Sequence, residues 1–349
     1  MLPPLAVALE AFGWRDALAG QLLRIKRATP RISATYALWI AVSALLTLDV
    51  AAVAAASVGL AVAGENEEEQ QWQLGSAVLG ANVGSLLFPF SNLTNLLLVA
   101  SAGLTLTTFV TYSLLPQAAA ALAVGVLLAI RARRAIGDQA FVPIEESDLE
   151  PGAHRTRGAA IAAGVAFVGA IAAIIAGALG ADMAIPFAVC SGVLVGAAVL
   201  GGRTQAPTFL HSIPVAGVAV VVVAAFAGPL IADLAAYIPK PGADVGGLLL
   251  ALVVGAALAG VLNNLPAAAL GTVWLVASPA PAIIAFLIGT NIAVVATPHG
   301  SVATMLAHGV GRRQGVVVEV PTYLRSAWRY GLVGSAAALA ALLLTVLLA

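Results

Sequence analysis

Charge is what this chain lacks most. Only 9% of its 349 residues are Asp, Glu, Lys or Arg, against about 25% in a soluble globular domain; 61% are hydrophobic, and the mean hydropathy is +1.02. A water-soluble fold is excluded. The sixteen basic and sixteen acidic residues cancel, so no basic field is available to hold nucleic acid, and none is expected as a partner. A single cysteine, Cys190, can neither close an internal disulfide nor build a thiolate metal site, so no metal or other cofactor is expected. A basic leader is missing too. Met1-Leu2-Pro3-Pro4 carries no cation, and Glu10, Arg15 and Asp16 interrupt the first apolar stretch, unlike a secretory signal.

What fills the chain instead is long, continuous apolar sequence. Continuity argues against a membrane β-barrel, whose strands alternate between lipid and lumen, and for a helical polytopic protein lying in the bilayer. A crossing helix needs about 20 apolar residues, and candidate segments run over residues 2–23, 33–63, 74–101, 108–130, 158–180, 183–202, 208–236, 245–278, 281–310 and 330–349. Two of them, 33–63 and 245–278, exceed one crossing and carry polar residues midway, Asp49 and Asn263-Asn264. Both are read as re-entrant hairpins.

Charge placement supports that reading, because Lys and Arg collect in cytoplasmic loops. If both long segments enter and return to the same side, fourteen of the sixteen basic residues share one face, from Arg24, Lys26, Arg27 and Arg31 to Arg325 and Arg329. A full crossing by either would divide them. The acidic run Glu65 to Glu69 then falls on the same face and reads as a solvated loop. Residues 135–157 form the longest polar stretch and read as the link between two halves.

Those halves repeat. Asn82 lies seven residues before Pro89, and Asn291 seven before Pro298, an offset of 209 for both pairs. Ser91, Asn92, Thr94 and Asn95 follow the first proline; His299, Ser301 and Thr304 follow the second. A hairpin tip precedes each break: Thr47-Leu48-Asp49, then Asn263-Asn264. Opposite entry sides make the copies inverted, a design common in secondary transporters. The expected fold is thus an all-α polytopic inverted-repeat transporter with two re-entrant hairpins and two broken helices. Residues 1–131 form the first repeat, expected to lack about two N-terminal helices; 132–157 form a cytoplasmic linker and 158–349 the second repeat.

Six of the seven asparagines fall in these four segments: Asn82, Asn92, Asn95, Asn263, Asn264 and Asn291. Proline within a membrane helix frees a carbonyl where no water can reach it, and Asn, Ser and Thr can answer that need. Each residue taken singly could merely stitch a broken helix to its neighbour. As a set they mark a substrate site, comprising Asn82, Ser85, Ser91, Asn92, Thr94, Asn95, Asn263, Asn264, Asn291, Thr297, Ser301 and Thr304. Asp, Glu, Lys and Arg are absent from 74–130 and 245–311, which leaves Asp49 as the one acid placed deep in the bilayer. A carboxyl there can take up and release protons as access alternates. Asp49 is therefore the candidate proton-coupling residue, with His299 as a second titrating group.

The stretches Ser85-Leu86-Leu87-Phe88-Pro89-Phe90-Ser91-Asn92-Leu93-Thr94-Asn95, Asn263-Asn264-Leu265-Pro266 and Thr297-Pro298-His299-Gly300-Ser301-Val302-Ala303-Thr304 resemble the arsenite permease (ArsB) family of the ion transporter superfamily. The resemblance implies an inner-membrane, multi-pass pump exchanging arsenite or antimonite for protons, and it admits a soluble ATPase subunit, with which some members work. This chain departs from the family at Asn82 and Asn291, where acids are common, at Leu48-Asp49, usually Asn-Asp, and at Ala293-Val294, usually Gly-Pro. Arsenite near neutral pH is uncharged As(OH)3, a triol that amides and hydroxyls can hold without a fixed cation. Three rivals stand beside it. Two are a sodium-coupled di- or tricarboxylate carrier and a sodium/proton antiporter of the same superfamily. The third is an intramembrane serine hydrolase using Ser301 and His308.

Overall fold

Apolar sequence without strand-like alternation folds here as helix. A computed structural model describes residues 8, 11–137, 153–201 and 237–349, and no β-strand occurs among them. Four helices among the described residues are long and apolar enough to cross a bilayer: Leu106–Ile136, Ala160–Ala178, Val245–Leu262 and Val320–Leu348. This is the make-up of a helical membrane protein. The expected segment at 208–236 and most of the linker, residues 138–152, lie outside the described residues.

In chain order the helices are α1 (Trp14–Leu23), α2 (Ala28–Leu45), α3 (Leu48–Ala63), α4 (Glu67–Gly84), α5 (Leu93–Ala102), α6 (Leu106–Ile136), α7 (Ala153–Ala178) and α8 (Ala184–Leu200). Then come α9 (Val245–Leu262), α10 (Asn264–Trp274), α11 (Ala280–Asn291), α12 (Val302–Arg313) and α13 (Val320–Leu348). Short 3-10 turns, Pro89–Ser91 and Ala293–Ala296, stand between α4 and α5 and between α11 and α12. The helices on either side of the expected linker extend into it, α6 to Ile136 and α7 from Ala153.

Contacts group the chain into two compact units. The first holds Met1–Ala81, Gly125–Ile213 and Leu306–Val318; the second holds Asn82–Val124, Pro214–Met305 and Glu319–Ala349.

Within the first unit, α2 and α3 part at Leu46 and Thr47, where Thr47 Oγ1 caps α3 by accepting from Val50 N at 3.4 Å. The α2 helix lies tightly on α4: Ser43 Oγ donates to Ala81 O at 2.6 Å, and a Cβ at Gly80 would meet Trp39 Cβ and Tyr36 O at 2.9 Å. Ala56, Leu60, Leu74, Val78, Ala307 and Val316 form an apolar cluster here.

One expectation fails in this unit. The acidic run is not wholly a solvated loop, because Glu67, Glu68 and Glu69 form the first turn of α4. Carboxylates are favoured at that end of a helix, and Asn66 Oδ1 caps it by accepting from Glu69 N at 2.8 Å. Glu69 is 1% exposed and receives Arg31 Nε at 2.8 Å and Nη2 at 2.7 Å, with Arg31 itself 3% exposed. A neighbouring acid run conceals this pairing, since nothing in the local sequence singles out the third glutamate.

In the second unit, α11 is buried from Pro281 to Asn291, as its all-round apolar run from Pro281 to Gly289 demands. Twelve residues span only about 18 Å, too little to cross a bilayer unaided. Small residues let α9 and α11 cross at backbone contact: a Cβ at Gly255 would strike Phe286 O at 2.5 Å, and one at Gly289 would strike Leu252 O and, at 2.6 Å, Ala256 N. The α10 helix closes on the same core, with Gly271 facing Phe286 of α11 and Leu98 of α5.

Candidate functional site

Both proline-marked breaks lie in the second unit, and the first is built almost entirely from side chains that satisfy freed backbone groups. Helix α4 ends at Gly84, and α5 starts after Asn92, whose Oδ1 accepts from Thr94 N at 3.1 Å. Between them, Ser91 Oγ donates to Ser85 O at 2.7 Å and Phe88 O at 2.6 Å. Asn95 Nδ2 donates to the same two carbonyls, at 2.8 and 3.0 Å, and Ser85 Oγ donates to Asn82 O at 2.8 Å. Unpaired, each of these buried groups would cost about 1–3 kcal/mol.

The second break follows Asn291. The 3-10 turn Ala293–Ala296 gives way to extended Thr297, whose Oγ1 donates to Val294 O at 3.2 Å. Gly300 is required by space, since a Cβ there would overlap Thr297 Oγ1 and Val294 Cγ2. The tip between α9 and α10 is seated against this turn. Asn263 takes a left-handed φ of 91°, a conformation Asn tolerates better than most residues. Its Nδ2 donates to His299 O at 2.7 Å. Asn264 N donates to Gly300 O at 2.7 Å, while its Oδ1 accepts from Val302 N at 3.4 Å.

Asn291 joins the two breaks. Its Oδ1 accepts from Asn92 Nδ2 at 3.1 Å, Thr94 Oγ1 at 3.0 Å and Thr290 Oγ1 at 3.2 Å, and its Nδ2 donates to Asn95 Oδ1 at 2.8 Å. Nearby, Asn82 Nδ2 reaches Thr304 Oγ1 at 3.4 Å, and Thr304 is hydrogen-bonded with the Tyr323 hydroxyl. Asn82, Ser85, Ser91, Asn95, Asn291, Ser301 and Thr304 are 0% exposed, and Thr94 and Asn92 at most 4%. The result is a neutral, buried network of amides and hydroxyls in which both the oxygen and the nitrogen of the Asn291 side-chain amide are engaged. The buried Ser301 Oγ has no hydrogen-bond partner among the described residues.

The sequence-marked residues are therefore gathered unevenly. Asn82, Ser85, Ser91, Asn92, Thr94, Asn95, Asn291 and Thr304 share one hydrogen-bonded network, while Asn263, Asn264 and Thr297 hold the second break in shape. His299 contributes its carbonyl to that turn; its imidazole is exposed, and no described residue hydrogen-bonds it. Asp49 belongs to the first unit, in the first turn of α3, half-buried and without a hydrogen bond from any described residue.

Four participants escaped the sequence reading. Gln117 Oε1 accepts from Leu86 N at 3.1 Å, and Ser113 Oγ donates to Leu87 O at 3.0 Å, fastening the first break to α6. Thr290 bonds Asn291, and Tyr323 OH donates to Val295 O at 2.7 Å beneath the second break. A signal existed for Gln117, an amide directly after Pro116 and followed by an unbroken apolar run to Ile130, since intramembrane polar groups are costly without a purpose. Comparison of the sequence with protein-family models and with curated proteins finds no match.

Proposed function

We propose that this chain is a secondary transporter of the cytoplasmic membrane that expels arsenite or antimonite in exchange for protons. The observation that carries the reading is the meeting of both helix breaks at Asn291, in a buried network with no charged side chain in residues 74–130 or 245–311. Such a site suits an uncharged triol. Each solute O–H can donate to an amide or hydroxyl oxygen, and each solute oxygen can accept from an amide N–H, so a solute exchanges bonds with the network without ion desolvation. Ser301, whose buried hydroxyl has no partner among the described residues, is a side chain that a bound solute can satisfy. Asp49 carries the proton in this scheme.

Everted vesicles with an acid interior test it, with arsenite, antimonite, sodium and dicarboxylates compared as cargo. Arsenite accumulation that collapses when the pH gradient is dissipated is the expected result; dicarboxylate uptake driven by sodium would replace the reading with its rival. Ser301→Ala separates binding from folding. It removes an unsatisfied buried hydroxyl, so stability should hold or rise, while the arsenite KM rises several-fold. Unchanged transport by this variant would take Ser301 out of the site.

A further inference from the structure

Within the first unit, α2 lies antiparallel to the part of α6 from Gly125 onward. The start of α2 meets the end of α6, where Thr29 Oγ1 donates to Gly137 O at 3.0 Å, and Tyr36 meets Gly125 lower down, where a Cβ would come within 3.0 Å of the ring. At their basic end they enclose an open cleft of about 500 Å³, lined by Arg27, Thr29, Pro30, Ala129, Ile130 and Arg133. Arg27 and Arg133 are both exposed, and no described residue pairs with the Arg133 guanidinium. Arg27 stands at the N-cap of α2, where the helix dipole favours an anion and opposes a cation.

Below the arginines an apolar track leaves the cleft. Val126 and Ile130 are 50% and 44% exposed and stand four residues apart, so they share one face of α6. They cover about 6 Å of helix. On α2, Pro30, Ala37 and Ala41 are exposed at matching helical spacing. Two cations at the mouth and a small-residue, apolar furrow beneath them suit one kind of occupant. The geometry points to a site for an anionic phospholipid of the surrounding bilayer, its phosphate held by Arg27 and Arg133 and an acyl chain laid along Val126 and Ile130. A zwitterionic lipid brings its own ammonium to the mouth and gains little from the arginines. The site is independent of what the protein transports.

Titrating the full chain in detergent with phosphatidylglycerol, phosphatidylcholine or inorganic phosphate, read by native mass spectrometry and thermal shift, decides it. Phosphatidylglycerol should bind and raise the melting temperature, with phosphatidylcholine and inorganic phosphate each much weaker. Arg27→Gln combined with Arg133→Gln should weaken phosphatidylglycerol about thirtyfold, from the usual contribution of a basic residue at an anionic surface. Ile130→Asn should weaken it without touching the charges. Arg312→Gln with Arg313→Gln removes equal charge elsewhere in the unit and should leave binding within about twofold. All five positions are exposed or at a helix end, so folding is not at stake. Equal binding of both lipids, an unaffected Arg27/Arg133 variant, or displacement by equimolar inorganic phosphate would each overturn the assignment.

Discussion

Removing one partner of the Arg31 and Glu69 pair should destabilise the first unit far more than removing both. The carboxylate receives two guanidinium bonds at 2.8 and 2.7 Å and a third from Gln73 Nε2 at 3.2 Å, while Arg31 Nη1 also donates to Ile25 O at 3.1 Å. Both ions are nearly inaccessible, at 3% and 1% exposure. In Glu69→Ala a buried guanidinium keeps a single carbonyl acceptor, and breaking such a pair costs about 3–5 kcal/mol. Replacing both residues with apolar ones of similar volume, Arg31→Met with Glu69→Leu, removes the ions instead of stranding one. That change is commonly neutral or stabilising by about 1–4 kcal/mol, so the double variant should be the more stable of the two. Cys190 offers the assay: it is the only cysteine, half-buried against Gly169 in the same unit, so reaction with a fluorogenic maleimide on heating reports unfolding. A Glu69→Ala variant within about 1 kcal/mol of the parent, or a double variant no better than the single, would refute the desolvation reasoning.

Other expectations follow from equally local geometry. Gly289→Ala forces a methyl into the backbone of α9 and should cost at least about 1–3 kcal/mol, whereas Gly75→Ala, with nothing within 4 Å, should stabilise by up to about 1 kcal/mol; thermal melts of the two variants check the contrast. Asp49→Asn should fold normally, having no hydrogen bond from a described residue to lose, yet abolish transport driven by a pH gradient; full activity in vesicles would end its assigned role. Asp244 caps α9 through Gly247 N at 3.0 Å, and that bond holds its carboxyl below the ordinary value. Its contribution is therefore present above the unfolded pKa of about 3.9 and fades as pH falls through the lower folded value. Hydrogen-exchange protection factors at residues 245–248, taken relative to the intrinsic rate at each pH, should fall in acid for the parent but not for Asp244→Asn, which keeps an acceptor oxygen and cannot titrate.

Much of this protein is written locally. Apolar runs without alternation require helix in a bilayer, because backbone groups there must be satisfied within the segment. The same logic locates the breaks: Pro89, Pro298 and the Asn263 tip all interrupt helices where the sequence says they should. The asparagines near them are legible because a freed carbonyl needs a donor close in sequence. What joins distant segments is not legible in this way. That Asn291 would accept from Asn92 and Thr94, that Gln117 would hold Leu86 N, or that Glu69 rather than Glu67 or Glu68 would face Arg31 depends on how helices cross. Those crossings are set by glycines such as Gly80, Gly255 and Gly289, whose role appears only when the opposing backbone is in place. Composition and periodicity fix each helix by its own hydrogen bonds and its contact with lipid; partner choice among buried polar groups is a property of three-dimensional packing, since the low dielectric that makes each pairing compulsory does not say which residue will supply it.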